Sequence, residues 1–193
     1  MAEIPATSPL APAAFPDLPE IAGVSFATAQ AGVKYAGRTD VMLAQLAQGT
    51  SVAGVFTKSA TRSASVLDCQ SKIGGAADGG AAILVNSGNA NAFTGEAGFD
   101  SGARLVTRVA TACSVPEHRV FTASTGVIGE PLPDAKITDK LGELTSSFDP
   151  MDIRSAAEAI MTTDTYAIGA GTSLDLPDGR VCIAGIAKGS GMI

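Results

Sequence analysis

The residues of this sequence that could do chemistry are hydroxyls, one amine and glycine amides, and they lie in short turn-forming segments. Ser124-Thr-Gly126 follows an apolar run and sets Thr125 beside Gly126. A threonine hydroxyl and a glycine backbone N–H can donate to the same oxygen, which is what an oxyanion hole requires. The tripeptide is common, and a simple turn is the safer interpretation of this segment alone.

Two further segments carry candidate binding groups. Met161-Thr-Thr-Asp164 closes a predicted helix with paired hydroxyls, which could bind a substrate or could satisfy the helix end. Lys188-Gly-Ser-Gly-Met192 places a lysine ahead of a glycine turn, which suits binding of a carboxylate or lowering the pKa of a nearby amine. A solvated surface lysine is the alternative. A Walker A loop has its lysine after the glycines, so nucleotide binding has little support.

A fourth polar segment, Asn86-Ser-Gly-Asn-Ala-Asn-Ala-Phe-Thr-Gly95, follows a buried run. Its amides and glycines could hold backbone groups near a ligand. A tight turn bonded to its own backbone explains the segment at least as well. His118 is the single histidine and has no nucleophile motif with it, so we interpret it as structural.

Hydrophobic periodicity predicts the elements that position these segments. Strands are predicted at 51–57, 81–85 and 119–123, and the second has the unbroken apolar run of a central strand. Helices are predicted at 100–112, 135–148 and from Asp149-Pro150 through Met161, with Asp100 and Asp134 as caps of the first two. Pro-Asp-Gly at 177–179 predicts a hairpin. The whole predicts an α/β fold of mixed α+β layers.

Composition limits the class of protein. The chain has 193 residues, 46% of them hydrophobic, which is enough for one domain at 20–193 after a flexible Pro/Ala-rich arm at 1–19. A net charge of -6 argues against nucleic acid and against a basic helix on a membrane. Three scattered cysteines, one histidine and no CxxC pair argue against a metal site and favour free thiols in a reducing cytosol. Neither a signal peptide nor an apolar run of membrane-spanning length is apparent.

Taken in order, six stretches resemble the N-terminal portion of the ornithine acetyltransferases, also called glutamate N-acetyltransferases. Each stretch alone is weak evidence for the family, whereas the occurrence of all six in the family's order is strong evidence. It covers nearly everything after the arm. The stretches are 32–40 (GVKYAGRTD), 49–58 (GTSVAGVFTK), 86–92 (NSGNANA), 124–129 (STGVIG), 160–164 (IMTTD) and 187–193 (AKGSGMI).

The resemblance implies a precursor that cuts itself just before a threonine, which becomes the nucleophile of a β chain with its own amine as base. The present sequence would be the α chain, ending shortly before the cut and lacking the nucleophile. By the same resemblance, the Thr125 side chain and the Gly126 N–H would form the oxyanion hole, and Thr162 and Lys188 would bind substrate. The family also implies no cofactor, an α2β2 heterotetramer and a cytoplasmic location.

The reaction implied is ping-pong acyl transfer in arginine biosynthesis. Threonine takes the acetyl group from N2-acetyl-L-ornithine and L-ornithine leaves. L-glutamate then accepts the group and departs as N-acetyl-L-glutamate. Some members also use acetyl-CoA as acetyl donor, and the sequence leaves that question open. Two alternatives remain: a self-processing aminopeptidase or amidase of similar architecture, and a non-catalytic binding domain whose glycine turns serve packing only.

Overall fold

The computed structural model describes residues 7–189, built around a four-stranded sheet. Its strands are β1 (Val24–Ala29), β2 (Val41–Leu46), β3 (Ala81–Asn89) and β4 (Val120–Val127), in the order β1-β2-β3-β4. The first three are antiparallel neighbours, whereas β3 and β4 run parallel. A second sheet is the hairpin of β5 (Ile168–Leu176) and β6 (Gly179–Ala187).

Five α-helices and a 3-10 turn (Glu117–Arg119) complete the described chain. The α-helices are α1 (Ala64–Lys72), α2 (Gly95–Cys113), α3 (Asp134–Thr138), α4 (Leu141–Ser146) and α5 (Ile153–Ala159). Helix α2 is the crossover between the parallel strands β3 and β4, as parallel pairing requires. None of the helices within residues 7–189 is long and apolar enough to cross a membrane.

The sheet is buried on both faces, which gives a layered α/β architecture. Alternate residues of β2 and β3, such as Leu43 and Leu84, pack against α2, α3 and α4 through side chains that include Val109 and Leu144. The residues between them, such as Met42, pack against α5 on the opposite face. The predicted fold class is therefore confirmed, and the period of two in each strand supplies both layers.

Several predicted boundaries are wrong. Residues 51–57 form no strand, since the segment pairs with nothing and Val55 is 99% exposed. Strands β3 and β4 instead run on into the predicted turns, to Asn89 and Val127, because the two segments pair with each other. The predicted central strand and the hairpin are confirmed.

The predicted helix boundaries also differ from those in the structure. Helix α2 begins at Gly95 after Thr94, not at Asp100. The helix predicted over 135–148 is two short helices, with the break at residues 139–140. Helix α5 begins at Ile153, because the backbone of Asp149 pairs with Phe26 of β1.

The described part of the N-terminal arm, residues 7–19, contains no helix or strand and lies along β5. The Ser8 N–H donates to the Thr165 hydroxyl at 3.0 Å. The Phe15 ring lies so close to Gly169 that a methyl group there would be 2.5 Å from it. The flexibility of this arm stays a prediction.

Candidate functional site

The candidate site lies where β4 ends and β6 ends. The ammonium of Lys188, one residue beyond β6, donates to the Thr125 hydroxyl at 2.9 Å and to the Thr162 hydroxyl at 2.8 Å. These three side chains come from positions up to 63 residues apart in the chain. Gly126, the fourth predicted site residue, lines the same pocket. All four predicted residues therefore meet at one place.

The pocket has a volume of about 310 Å³, within the usual range of small-molecule sites, about 300–1,000 Å³. Its lining combines the four predicted residues with neighbours from two strands, the β1–β2 loop and the loop after α5. The lining residues are Tyr35, Arg38, Gly88, Thr125, Gly126, Val127, Thr162, Thr163 and Lys188.

The backbone at Gly126 has a conformation that requires glycine. Its φ is +134°, and a Cβ there would lie 2.3 Å from the carbonyl carbon of Gly88. The parallel strands β3 and β4 thus approach closely at a glycine pair, where the pairing register also shifts. Gly88 in turn packs against Lys34, whose Cβ would be 2.9 Å from a Cβ on Gly88.

The hydrogen bonds from Lys188 orient the hydroxyl hydrogens. A lysine ammonium only donates, so the oxygens of Thr125 and Thr162 act as acceptors toward it. Each hydroxyl keeps its own hydrogen for another acceptor. The ammonium keeps a third N–H. The arrangement can therefore offer several donors to one oxygen-rich ligand.

Asp164 fixes the two chain segments that carry Thr162 and Lys188. Its carboxylate accepts the backbone N–H of Thr162 at 2.9 Å and that of Gly189 at 2.6 Å, and the residue is 8% exposed. Burial alone raises the pKa of this carboxyl, but the backbone N–H donors and the nearby Lys188 ammonium outweigh it. The pKa therefore lies below its ordinary value of 3.8. Satisfying backbone groups was one of the two predicted roles of segment 161–164.

Arg38 is a site residue that the sequence did not single out. Its guanidinium donates to the carbonyl oxygens of Met161 and Thr162, and its side chain lines the pocket. Arg38 lies within a stretch that carried the family resemblance, but no local pattern links it to Thr162. Only the folded chain brings the two together.

The asparagine-rich segment 86–95 supports the strand ends without lining the pocket, except at Gly88. Asn86 accepts the Ser124 hydroxyl at 2.7 Å and donates to the carbonyl of Asn89 at 2.8 Å. Asn91 donates to the carbonyl of Gly98. These contacts match the structural interpretation of this segment.

Two other predicted features lie away from the pocket. His118 is in a short 3-10 turn, with its Nε2 3.1 Å from a carboxylate oxygen of Asp78. Cys69 and Cys113 are buried free thiols, and burial raises the pKa of both, while Cys182 is half-buried. Residues 7–189 contain no group of three His, Cys, Asp or Glu side chains placed to hold a metal ion.

Another cavity, of about 430 Å³, opens at the opposite end of the sheet beside Gln45 and Ser114. Glu20 is the acidic residue of its described lining, which contains no lysine, arginine or histidine. It lacks the convergent donors of the Lys188 pocket, so the Lys188 pocket is the better candidate for chemistry.

Comparison with known proteins agrees with the sequence resemblance. The ArgJ family model matches residues 25–193. The chain belongs to the ArgJ family. The arginine biosynthesis bifunctional protein ArgJ of Ruegeria pomeroyi is 63% identical over 193 residues, which is 100% of this chain and 47% of the relative. Its counterpart in Bradyrhizobium diazoefficiens is 52% identical over 187 residues, 96% of this chain and 45% of the relative. The chain thus spans about half the length of these ArgJ proteins.

Two solved ArgJ-type structures share the fold. ArgJ of Bacillus halodurans superposes with a TM-score of 0.81 at 34% identity, covering 89% of each chain. The ornithine acetyltransferase of Mycobacterium tuberculosis, crystallised with ornithine, gives a TM-score of 0.77 at 33% identity, covering 89% of this chain and 91% of the other. The chains matched in these crystals are therefore close in length to this one.

Proposed function

We propose that this chain is the α chain of an ornithine acetyltransferase, which moves an acetyl group from N2-acetyl-L-ornithine to L-glutamate in arginine biosynthesis. The observation that carries the proposal is the Lys188 ammonium, hydrogen-bonded at once to Thr125 and Thr162 in the pocket lined by Gly126. Membership of the ArgJ family and the relatives' names support the same activity.

The nucleophile of the proposed reaction is the N-terminal threonine of a β chain, released when the precursor cuts itself. Two comparisons of chain length support this proposal. The ArgJ proteins are about twice as long as this chain, whereas the chains matched in solved structures are similar to it in length. The assembled enzyme is proposed to be a cytoplasmic α2β2 heterotetramer.

In the first half-reaction, the threonine oxygen bonds to the acetyl carbon of acetylornithine while the amide C–N bond breaks, and ornithine leaves with the proton from the threonine. The carbonyl oxygen gains negative charge in between. The Thr125 hydroxyl, whose hydrogen Lys188 leaves free, and the Gly126 N–H are proposed to donate to that oxygen. Thr162 and Lys188 are proposed to hold the amino-acid portion of the substrate.

In the second half-reaction, the amine of glutamate attacks the acetyl ester, and the threonine oxygen leaves and regains its proton. The same oxyanion donors serve again, because the intermediate is again tetrahedral. Acetyl-CoA could replace acetylornithine as donor in a bifunctional enzyme.

The first experiment is intact-mass analysis and N-terminal sequencing of the full-length gene product. Two fragments, one beginning with threonine just after the Lys188-Gly-Ser-Gly-Met-Ile193 run, are expected. Transfer from acetylornithine to glutamate is then assayed beside hydrolysis of peptide amides, which tests the amidase alternative. A single uncut polypeptide without transfer activity would overturn the proposal and favour a binding domain.

A further inference from the structure

The charges around the pocket are unbalanced. Its described lining includes two cations, Arg38 and Lys188, and no carboxylate. Asp164 lies outside the pocket lining but near enough to Lys188 for their charges to interact, so it offsets one positive charge. Its oxygens accept the backbone N–H groups of Thr162 and Gly189. The described residues therefore leave one net positive charge facing a ligand, which favours an anion.

Like the Lys188 ammonium, the Arg38 guanidinium forms no ion pair with a carboxylate of the described residues. No Asp or Glu oxygen of residues 7–189 lies within 4 Å of its guanidinium nitrogens. The carbonyls of Met161 and Thr162 accept from it, but they are neutral and do not cancel its charge. A guanidinium has five N–H groups, and these carbonyls engage two, so others remain for a ligand.

The loop that carries Arg38, residues 30–40, is held in place at several points. The buried Asp40 carboxylate accepts the backbone N–H groups of Ala31 and Val33 at 2.7 and 2.6 Å. Lys34 forms an ion pair with Glu130 at 2.7 Å, and the Lys136 ammonium donates to the carbonyl of Gly32 at 2.7 Å. The guanidinium is thus positioned before a ligand arrives, which lowers the entropic cost of binding.

We propose that Arg38 is a substrate-binding residue that forms, with Lys188, a two-cation site for a dicarboxylate. This inference rests on the proposed function, in which the dicarboxylate is the glutamate acceptor. At neutral pH glutamate has one net negative charge, acetylornithine has none, and ornithine has one positive charge. The single positive charge left by the described residues therefore complements the acceptor better than the donor. Arg38 sets the preference for an acidic acceptor.

The test compares two variants of Arg38 in the full-length gene product. Arg38→Gln keeps an amide that can donate to the carbonyls of Met161 and Thr162 but removes the charge, whereas Arg38→Lys keeps the charge. Arg108→Gln is the matched control, since Arg108 is exposed on α2 and does not line the pocket. Initial rates give the KM of glutamate and of acetylornithine separately, and thermal unfolding gives Tm.

Arg38→Gln is expected to raise the KM of glutamate about tenfold or more, as for loss of a charged hydrogen bond, and to raise that of acetylornithine less. Arg38→Lys is expected to recover part of the glutamate KM, and Arg108→Gln to match the wild type. An equal rise in both KM values would overturn the proposal. A matching loss of kcat and Tm in both Arg38 variants would also overturn the proposal, because that pattern indicates that Arg38 only stabilises the folded structure.

Calorimetric titration with glutarate and with its neutral diamide separates this inference from the proposed function, because it needs no turnover. If the wild type shows no acetyl transfer, the proposed function fails. Glutarate binding that Arg38→Gln weakens would still support the dicarboxylate site. Equal binding of glutarate by wild type and Arg38→Gln, or equal binding of the diamide and glutarate, would overturn it.

Discussion

Replacing Gly126 by alanine is the sharpest test of the site's backbone geometry. The added Cβ would lie 2.3 Å from the carbonyl carbon of Gly88, 2.6 Å from its oxygen and 2.7 Å from the backbone nitrogen of Asn89. These are backbone atoms of the neighbouring strand, so no side-chain rotation relieves the clash. The φ of +134° adds strain for any residue with a Cβ.

The expected cost follows from those two effects. Forcing a non-glycine residue into a sparsely populated backbone conformation costs about 1–3 kcal/mol. Inserting a methyl group into a filled space costs about 1–3 kcal/mol more. The sum, about 2–6 kcal/mol, is a large share of the roughly 5–15 kcal/mol that stabilises a folded protein. A displacement of about 1 Å at the oxyanion donors would also lower kcat about 100-fold.

The assay measures Tm and kcat of the full-length gene product. Gly102→Ala is the matched control, because Gly102 lies within α2, has no positive φ, and would have nothing within 4 Å of its new Cβ. Removing a helical glycine should raise stability by about 0.5–1 kcal/mol and leave kcat unchanged. Gly126→Ala should lower Tm by many degrees and nearly abolish transfer.

Two results would refute this reasoning in different ways. A Gly126→Ala variant with wild-type Tm would show that β3 and β4 do not approach as closely as described. A variant with reduced Tm but wild-type kcat would keep the packing argument and remove Gly126 from the oxyanion hole.

Three further outcomes are expected. Thr125→Val should lower kcat about 10²–10³-fold at nearly unchanged Tm, because it removes one hydrogen-bond donor to the oxyanion. Thr125→Ser keeps the hydroxyl and should keep most activity, so equal rates in the two variants would contradict the proposed role of Thr125. Lys188→Met should lower kcat and raise KM for both amino-acid substrates, because the hydroxyls of Thr125 and Thr162 lose the donor that orients them. An unchanged KM would exclude Lys188 from substrate binding. Asp164→Asn should cost about 1–2 kcal/mol of stability at neutral pH. Because the wild-type carboxyl has a lowered pKa in the folded state, this stability difference should persist down to pH about 3.8 and vanish as the pH falls through the folded-state pKa. A constant difference in Tm between wild type and variant from pH 7 to 3 would rule out the ionised carboxylate as its source.

Sequence periodicity predicted those parts of the fold that depend on local pattern. The unbroken apolar run at 81–85 predicted the central strand, since that composition is typical of a strand covered on both faces. Pro-Asp-Gly predicted the β5–β6 hairpin because its residues suit a tight turn. The helical period over 100–112 predicted most of α2, whose residues Leu105 and Val109 are buried. Among the boundaries that failed, the ends of β3 and β4 and the start of α5 depend on partners far along the chain, such as Phe26 for Asp149.

The candidate site likewise has features that the sequence indicated and features that only the folded structure shows. The order of short motifs in the sequence indicated the family and named Thr125, Gly126, Thr162 and Lys188, although each motif alone resembles an ordinary turn. Their convergence is a tertiary fact, because pairing of β3 with β4 and of β5 with β6 sets which strand ends are neighbours. Arg38 joins the site across 124 residues of chain, through hydrogen bonds that carry no local signature. Residue types and local periodicity thus determined which chemistry the chain could carry. Only strand pairing and long-range hydrogen bonds decided which groups meet, since a separation along the chain does not specify a distance in space.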